Sequence, residues 1–540
     1  MYTFTTIAFY FPLGYGDEKG KKGSIIASTI MSVGLEGMKG HRVSVEANVR
    51  FEKDQFVIVG LPDASIKESK ERILSSIHAL ELDISMKKIT IHLSPSDKKK
   101  TGTGYDCAML LAVLYEVLEE PISIDETTCV LASLSLDGKL TPLHGLIPSI
   151  QQAVLLGFKR IIVPPVDLSF LDKSLGVEFV PIVDMKQLLT YLRGQLSLDL
   201  QEVNPIPWEP LDHQDLSVQT TDFSAIRGHP EAKRALEIAA AGGHHVLLSG
   251  PPGCGKSMLA DAFHTILPDV SNDEMLEIYS IYHLAKERRG FSARPPYRYP
   301  HHSASAIALI GGGTYPKPGE ISLAHHGVLF LDELGEFSRK SLDMLRQPLE
   351  TGEVTISRVR QSVTYPSSFT LIAATNPCQC GYYGSTERYC TCTAAQVRTY
   401  QLKASGPLLD RLDFVLTLKS VDIAETANRQ TSAEIRQRID KARQLQRGRY
   451  SKGFLNGNIP VQTLLATCGI SDNQSDLLKK VCFTEKWSNR TQVKLIRIAR
   501  TIADLAGDQV ISDDVLQEAV EWKRTASFYH GSPKMVDYNG

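Results

Sequence analysis

The stretch Gly250-Pro-Pro-Gly-Cys-Gly-Lys256-Ser257 decides how this chain of 540 residues is interpreted. An apolar run at residues 245–249 precedes it and a helical pattern at residues 258–263 follows it, which predicts a strand, a tight loop and a helix. Glycines let successive backbone N–H groups converge on phosphate oxygens, and the helix N-terminus adds favourable partial charge. The sequence therefore predicts a phosphate-binding loop made of Gly250, Pro251, Pro252, Gly253, Cys254, Gly255, Lys256 and Ser257.

The residues of this loop and of one later strand predict ATP and Mg²⁺ as cofactors. Lys256 is expected to reach the β- and γ-phosphates, and the Ser257 hydroxyl is expected to ligate the magnesium. A second apolar strand at residues 327–331 ends in Asp332 and Glu333. We expect Asp332 to hold the magnesium through its water shell and Glu333 to polarise the attacking water. ATP hydrolysis follows from these residue types alone.

Composition limits the setting in which this chemistry takes place. Apolar residues make up 42% and charged residues 22%, which is ordinary for a globular protein. Lys and Arg number 59 against 61 acids, so any DNA-binding surface must be local. No apolar run approaches a membrane span, and residues 1–23, although apolar at first, lack a basic start and a cleavage site. We expect a cytoplasmic protein with no membrane partner.

The pattern along the chain predicts a three-part α/β protein. Residues 24–200 alternate strands and helices, with Asp63 as a helix cap, and residues 201–222 form a Pro-rich, acidic linker. The remaining boundaries are an ATPase core with a parallel sheet at 223–423, a C-terminal α-helical lid at 424–528 and a tail at 529–540, while residues 1–23 are a poorly specified leader.

Three segments of the N-terminal part carry a family resemblance: residues 59–63, 100–106 and 135–140. They resemble the N-terminal domain of ComM/YifB-type magnesium-chelatase-like proteins, which is similar to the proteolytic domain of the protease Lon. The resemblance places Gly104 where the Lon serine stands. Residues 145–149 match the segment of the Lon lysine, and no lysine lies between Lys139 and Lys159. A Ser–Lys dyad needs both groups. We therefore expect a scaffold or a substrate-facing platform without peptidase activity.

The same family, whose ATPase core is of the AAA+ type, gives roles to further residues. Its resemblance implies that Asn376, at the end of the apolar strand 369–375, is the sensor-1 residue that orients the water. Arg411, in the segment Ser405-Gly-Pro-Leu-Leu-Asp-Arg411, resembles the arginine finger that is presented to a neighbouring subunit. An ion pair within the subunit is the alternative. Arg490 resembles the sensor-2 residue, expected to contact phosphate in its own subunit, with Arg500 as the reserve candidate.

Candidate DNA contacts come from two segments that the resemblance places at the pore of a ring. Residues 349–365 read as a hairpin of the kind found before sensor 1 in magnesium chelatases and MCM helicases, with Arg358 and Arg360 near its tip. The second segment resembles a glycine-rich insertion of the family and carries Arg294, Arg298 and Lys317. Phosphate-backbone contacts are the functional interpretation, and solvated loop residues are the alternative.

Four of the nine cysteines lie close together, in two pairs directly after Asn376. Four thiolates can satisfy a tetrahedral Zn²⁺ and hold a loop that has little core of its own. Reduced free thiols are the alternative. The candidate zinc ligands are Cys378, Cys380, Cys390 and Cys392.

The resemblance implies a hexameric ring that translocates on single-stranded or branched DNA and drives branch migration in natural transformation and homologous recombination. A metal-chelatase motor that acts through partner subunits is one alternative, weakened by the N-terminal domain and by the four cysteines. An ATP-dependent protease is disfavoured by the missing dyad. A protein-remodelling ATPase remains the third alternative, and the balanced net charge is compatible with it.

Overall fold

The computed structural model describes residues 29–118, 124–168, 171, 176–195, 221–313, 316–358, 361–385, 388–403, 406–420, 430–450 and 453–527. The predicted leader, the predicted tail and residues 201–220 of the predicted linker lie outside the described residues. Within the described ranges, no helix is both long enough and apolar enough to cross a bilayer.

The N-terminal part is a mixed seven-stranded sheet, in the order β3-β4-β2-β1-β5-β8-β9, with helices packed on it. Asp63 caps α1 by accepting a hydrogen bond from the Ile66 N–H at 2.9 Å, as the sequence predicts. The strands are β1 (Ile30–Glu36), β2 (Lys39–Phe51), β3 (Gln55–Val59), β4 (Lys87–Ser94), β5 (Thr128–Val130), β6 (Ser133–Leu134), β7 (Leu140–Thr141), β8 (Arg160–Val163) and β9 (Glu178–Pro181). The helices are α1 (Ala64–Ala79), α2 (Asp106–Val117), α3 (Leu146–Leu155) and α4 (Met185–Leu192).

The second part is built on a parallel five-stranded sheet in the order β11-β14-β17-β10-β18. Its central strands are buried along their whole length, as expected for a sheet covered on both faces. The strands are β10 (Val246–Ser249), β11 (Tyr297–Arg298), β12 (Gly311–Gly312), β13 (Lys317–Pro318), β14 (Val328–Leu331), β15 (Glu353–Arg358), β16 (Gln361–Pro366), β17 (Thr370–Thr375) and β18 (Phe414–Thr417). The helices are α5 (Pro230–Gly242), α6 (Lys256–Ile266), α7 (Asn272–Ala285), α8 (Ala306–Ile310), α9 (Glu320–Leu323), α10 (Arg339–Asp343), α11 (Pro348–Thr351), α12 (Ala394–Gln401) and α13 (Gly406–Leu409).

The C-terminal part is helical, and it shares one apolar core with the ATPase sheet. Ile439 and Ile502 of this part are buried in the same cluster as Ala239 and Phe263 of the second part. The helices are α14 (Ser432–Arg449), α15 (Val461–Thr467), α16 (Asp472–Thr484), α17 (Asn489–Ala506) and α18 (Asp513–Ser527). The predicted fold class, a mixed α/β chain with a parallel ATPase sheet and a C-terminal helical part, is confirmed.

The N-terminal part packs against the ATPase core beside the long segment that connects α6 to β14. The Ser280 hydroxyl of α7 donates to Gln151 of α3 at 2.8 Å. Gly37, in the turn between β1 and β2, adopts φ +64 and lies so close to Val363 that a Cβ there would stand 2.4 Å from that side chain. The N-terminal part therefore touches the hairpin β15–β16.

Candidate functional site

The phosphate loop connects β10 to α6 in the predicted order. Gly253 and Gly255 adopt φ of +82 and +88, values that residues with a Cβ rarely take. Gly250 is required for space, because a Cβ there would stand 2.8 Å from the Leu418 carbonyl oxygen. The backbone is thus shaped as an anion-binding loop at a helix N-terminus.

Lys256 is held at the centre of this loop. Its Nζ donates to the carbonyls of Gly250 and Pro251 at 2.7 and 2.9 Å, and to Asn376 Oδ1 at 3.1 Å. Burial lowers the pKa of the lysine. The sequence places Asn376 120 residues away, and the sheet brings it to Lys256 because β10 and β17 are neighbouring parallel strands whose carboxyl ends coincide.

Asp332 and Ser257 meet at the same edge of the sheet. The Ser257 hydroxyl donates to Asp332 Oδ2 at 3.2 Å. The two residues meet because β10, which leads to Ser257, and β14, which leads to Asp332, both lie beside β17. A hydroxyl and a carboxylate are oxygen ligands of the kind that Mg²⁺ takes, and the Lys256 cation complements phosphate charge. These residues fit MgATP, for which Ser257 and Asp332 would hold the metal and the loop would hold the phosphates.

Sequence reasoning missed two side chains that contact the acidic pair. The Tyr299 hydroxyl donates to Asp332 Oδ2 at 3.4 Å, and His302 Nδ1 lies 3.1 Å from Glu333 Oε2. Both follow β11, the edge strand next to β14. The only signal in the sequence is the clustering of Tyr and His at residues 297–302, a stretch that the family resemblance assigns to the pore insertion.

Arg411 and Arg490 share one carboxylate. Their Nη2 atoms lie 2.8 and 2.5 Å from the same oxygen, Oε1 of Glu350. Arg411 also donates to the Arg346 carbonyl at 3.0 Å, and its side chain is only 11% exposed, against 47% for Arg490. The ion pair within the subunit, the alternative kept for Arg411, is therefore present.

This arginine pair lies at the amino edge of the sheet. Asp413, two residues after Arg411, donates its N–H to the His245 carbonyl at the start of β10. The phosphate loop begins at the other end of that strand, about 13 Å away for four residues. Glu350 holds Arg490 beside Arg411 at this edge of the sheet. Arg500, the reserve candidate, is fully buried and paired with Asp504 at 3.0 Å, so it is structural.

The predicted DNA contacts fall into different environments. Arg358 is exposed near the tip of the hairpin β15–β16, and a Cβ on Gly312 would stand 3.2 Å from its Nη2, so the hairpin lies beside the ribbon β12–β13 that carries the exposed Lys317. Arg294 is exposed as well. Arg360 lies outside the described residues.

Arg298 does not fit its predicted role as a DNA contact. Its Nε and Nη2 donate to Glu320, both at 2.7 Å, and its Nη1 donates to Glu287 at 3.0 Å. The guanidinium also lies over the Tyr282 ring. With its donors taken by two carboxylates, Arg298 ties the insertion to α7.

The four predicted zinc ligands converge on one point. Their Sγ atoms all lie within 4.8 Å of one another, with separations of 3.3, 3.5 and 3.7 Å among Cys378, Cys380 and Cys390. A hydrogen bond from the backbone of Tyr382 lowers the pKa of Cys380 to about 5. The loop touches the nucleotide site, because a Cβ on Gly381 would stand 2.7 Å from Pro252.

A second cluster, formed by Glu277, His325 and His326, is arranged for hydrogen bonding. Both His Nε2 atoms point to Glu277 Oε2, at 3.1 and 2.8 Å. The Ser368 N–H donates to His325 Nδ1, and burial lowers the pKa of His325 to about 4, so this neutral imidazole carries its proton on Nε2. A metal-bound histidine instead donates through its second nitrogen. The cluster therefore joins α7 to β14 and lacks the donor pattern of a metal site.

The Lon-like position is lined by apolar and structural groups. A Cβ on Gly104 would stand 3.4 Å from the Leu143 side chain. Lys139 is an exposed residue paired with Asp137, and the buried Lys100 donates to the carbonyls of Pro95 and Lys98. Neither lysine fits the base of a Ser–Lys dyad at Gly104.

The phosphate loop, the acidic pair Asp332–Glu333 and Asn376 on a parallel sheet, followed by packed helices, define a P-loop ATPase of the AAA+ type. Three family profiles match successive parts of the chain. They are described as subunit ChlI of Mg-chelatase at residues 45–167, magnesium chelatase, subunit ChlI at residues 222–426, and magnesium chelatase, subunit ChlI C-terminal at residues 429–523.

Relatives of known sequence match over nearly the whole length. The competence protein ComM of Haemophilus influenzae and the uncharacterized protein YifB of Escherichia coli are each 36% identical over 498 residues, covering 90% of this chain and 95% of the relative. An uncharacterized protein of Mycobacterium tuberculosis is 33% identical over 504 residues, covering 92% and 98%. The chain belongs to the ComM/YifB-type family of magnesium-chelatase-like AAA+ proteins.

Proposed function

We propose that this protein is an ATP-hydrolysing ring motor that acts on DNA, as a branch-migration helicase in natural transformation or homologous recombination. The observation that carries the DNA assignment is the placement of two basic ribbons side by side, one bearing Arg358 and the other Lys317. The name of the ComM relative supports a role in competence. A hexamer in the cytoplasm is part of the proposal.

In this proposal, the residues at the carboxyl edge of the sheet have different roles in ATP hydrolysis. Lys256 and the loop amides bind the phosphates, while Ser257 and Asp332 hold the magnesium. Bound Mg²⁺ neutralises charge on the phosphate oxygens. Glu333 accepts a proton from the attacking water, and Asn376 orients that water.

In a ring, the neighbouring subunit would supply arginine charge to the nucleotide site. Because Arg411 and Arg490 lie together at the amino edge of the sheet, we assign both to the nucleotide of the neighbouring subunit. Glu350 holds them until phosphate replaces its carboxylate. Glu350 lies in α11, directly before the hairpin β15–β16, and so connects the arginine pair with the proposed DNA-binding ribbon.

The test is ATP hydrolysis by the full chain with and without single-stranded and branched DNA, at low and moderate salt. Stimulation that fades with salt, together with migration of a labelled junction, is the expected result. Hydrolysis that is indifferent to every DNA form would contradict the motor and would favour a chelatase-like or protein-remodelling ATPase that acts through a protein partner.

Arg358→Ala is expected to weaken DNA binding by removing one phosphate contact. The slope of log K against log salt should fall by about one unit, without a change in basal hydrolysis. Fluorescence anisotropy with labelled single-stranded DNA at several salt concentrations measures this. Arg524→Ala is the control, because Arg524 is an exposed arginine in the last helix and pairs with Glu485. Equal losses in the two variants would contradict a specific role for Arg358.

We propose further that the four cysteines hold a structural Zn²⁺. A tetrahedral ion with bonds of about 2.3 Å separates its sulfurs by about 3.8 Å, close to the distances seen here. All four sulfurs converge on one point. The thiolates of Cys378, Cys380, Cys390 and Cys392 would be the four ligands.

Cys390→Ser is expected to remove the bound zinc and to lower the melting temperature by several degrees, because the metal stabilises the folded loop. Elemental analysis of the purified protein should give one zinc per wild-type chain and almost none for the variant. Cys482→Ser, which changes a buried cysteine outside the cluster, serves as the control. Zinc-free wild-type protein with four thiols that react freely would leave only the reduced-thiol alternative.

A further inference from the structure

The four-cysteine loop, residues 377–385 and 388–393, packs against the outer side of the phosphate loop. Gly381 is buried, and a Cβ there would stand 2.7 Å from Cδ of Pro252, which is itself an exposed residue. Among the described residues, no atom lies within 4 Å of a Cβ built on Gly253 or Gly255, so the next part of the phosphate loop has open space around it. The contact with Gly381 therefore limits the movement of the phosphate loop where it has few other neighbours.

The same glycine belongs to the turn that brings the first two cysteines together. Gly381 directly follows Cys380, and its N–H donates to the Cys378 carbonyl at 3.0 Å. Cys378 is fully buried. In the zinc site proposed above, both thiolates of this turn would share one ion with the second cysteine pair, and the bound ion would keep the turn closed. The position of Gly381 thus depends on the metal site.

The chain after the second cysteine pair returns to the nucleotide site through α12. Gln401 Nε2, at the end of α12, donates at 3.1 Å to the carbonyl of Pro377, which directly precedes the first cysteine. A Cβ on Gly335, in the turn after the acidic pair, would stand 2.7 Å from the Tyr400 ring. The loop and α12 therefore contact both the phosphate loop and the turn that follows β14.

We propose that metal binding by the four cysteines and nucleotide binding by the phosphate loop are coupled, with Gly381 as the positioning residue between them. With its cysteines joined to one ion, the turn keeps Gly381 against Pro252, so less of the phosphate loop must be ordered when nucleotide binds. Linkage then requires bound nucleotide to strengthen metal binding by the same factor. We expect a factor of about ten. The inference rests on the proposed zinc and ATP sites.

The first test measures the Kd of a fluorescent ATP analogue, with Mg²⁺ present, for full-length wild type, Gly381→Ala and Gly384→Ala. The new methyl group in G381A displaces Pro252, so we expect binding to weaken about tenfold while the zinc content stays at that of wild type. G384A is the matched control. Gly384 lies in the same loop at φ +77, against +86 for Gly381, and no described atom lies within 4 Å of its Cβ position. G384A therefore carries similar backbone strain without the contact. A G381A protein that binds the analogue as wild type does, or an equal loss in G384A, overturns the positioning role.

The second test measures the affinity of wild type for zinc, a property that a purely structural metal would keep constant. Competition with a chromogenic chelator gives the Kd for zinc with and without a non-hydrolysable ATP analogue in excess Mg²⁺. We expect the analogue to strengthen zinc binding about tenfold, and removal of zinc to weaken analogue binding by the same factor. K256A, whose phosphate loop lacks its cation, should show no effect of the analogue on zinc.

An unchanged zinc affinity in wild type overturns the coupling. An equal change in K256A also overturns it, because the effect would then not come from nucleotide bound at the phosphate loop. Wild type that holds no zinc overturns the coupling together with the proposed metal site. The comparison of G381A with G384A would still show in that case whether the loop supports nucleotide binding, so the two failures are distinct.

Discussion

Lys256→Ala is expected to lower the rate of ATP hydrolysis by about 10²- to 10³-fold, as the loss of a preorganised charge at a phosphate site does. Lys256 is already fixed by three acceptors, two loop carbonyls and Asn376 Oδ1, so its cation is presented without reorganisation. Alanine removes the charge and also leaves the Asn376 oxygen without this donor. Steady-state phosphate release by purified protein measures the effect.

The Glu333→Gln variant separates nucleotide binding from the chemical step of hydrolysis. Glutamine keeps the size of the side chain but removes the base, so this variant should bind a fluorescent ATP analogue normally while it hydrolyses ATP slowly. K256A should lose both properties. A K256A protein with an unaltered ATPase rate would refute the nucleotide site, and normal binding in K256A would restrict the lysine to the chemical step.

The nucleotide site could be predicted because its parts follow strands of one parallel sheet. Residues 245–249, 327–331 and 369–375 are apolar runs, and each is followed by polar groups. Local patterns predict the roles of Lys256 and Asp332, and the family resemblance adds Asn376. The three residues meet because the carboxyl ends of neighbouring parallel strands lie at one edge.

Contacts that depend on packing between elements could not be predicted. The shared carboxylate of Glu350 joins Arg411 to Arg490, which is 79 positions further along the chain, and no local pattern marks it. Arg298 is the converse case, in which the sequence predicts a contact with DNA and the structure shows contacts within the chain. An arginine in a glycine-rich insertion suggests a DNA contact, yet two glutamates from other segments take its donors. Charge alone cannot distinguish an arginine that binds a partner from one that holds the fold.

Mixed rings test whether the arginine pair serves a neighbouring subunit. Arg490→Ala and E333Q proteins should each hydrolyse ATP about 10²-fold more slowly than wild type. In a random equal mixture, one interface in about four combines the intact Glu333 of one subunit with the intact Arg490 of the next, because ring contacts are head-to-tail. We therefore expect the mixture to regain about a quarter of the wild-type rate if Arg490 acts in trans.

The control mixture is K256A with E333Q. Both changes lie at the phosphate-loop side of an interface, so no hybrid site is complete and no recovery is expected. The same test with Arg411→Ala distinguishes the two arginines, since Arg411 also bonds the Arg346 carbonyl and is nearly buried. Recovery with Arg490→Ala but not with Arg411→Ala would make Arg490 the residue presented to the neighbour and Arg411 its support. An absence of recovery with both, in rings shown to exchange subunits, would contradict the trans assignment. A hybrid site that retains Lys256, Glu333 and the neighbour's arginine has every group that this assignment requires, so it should hydrolyse ATP.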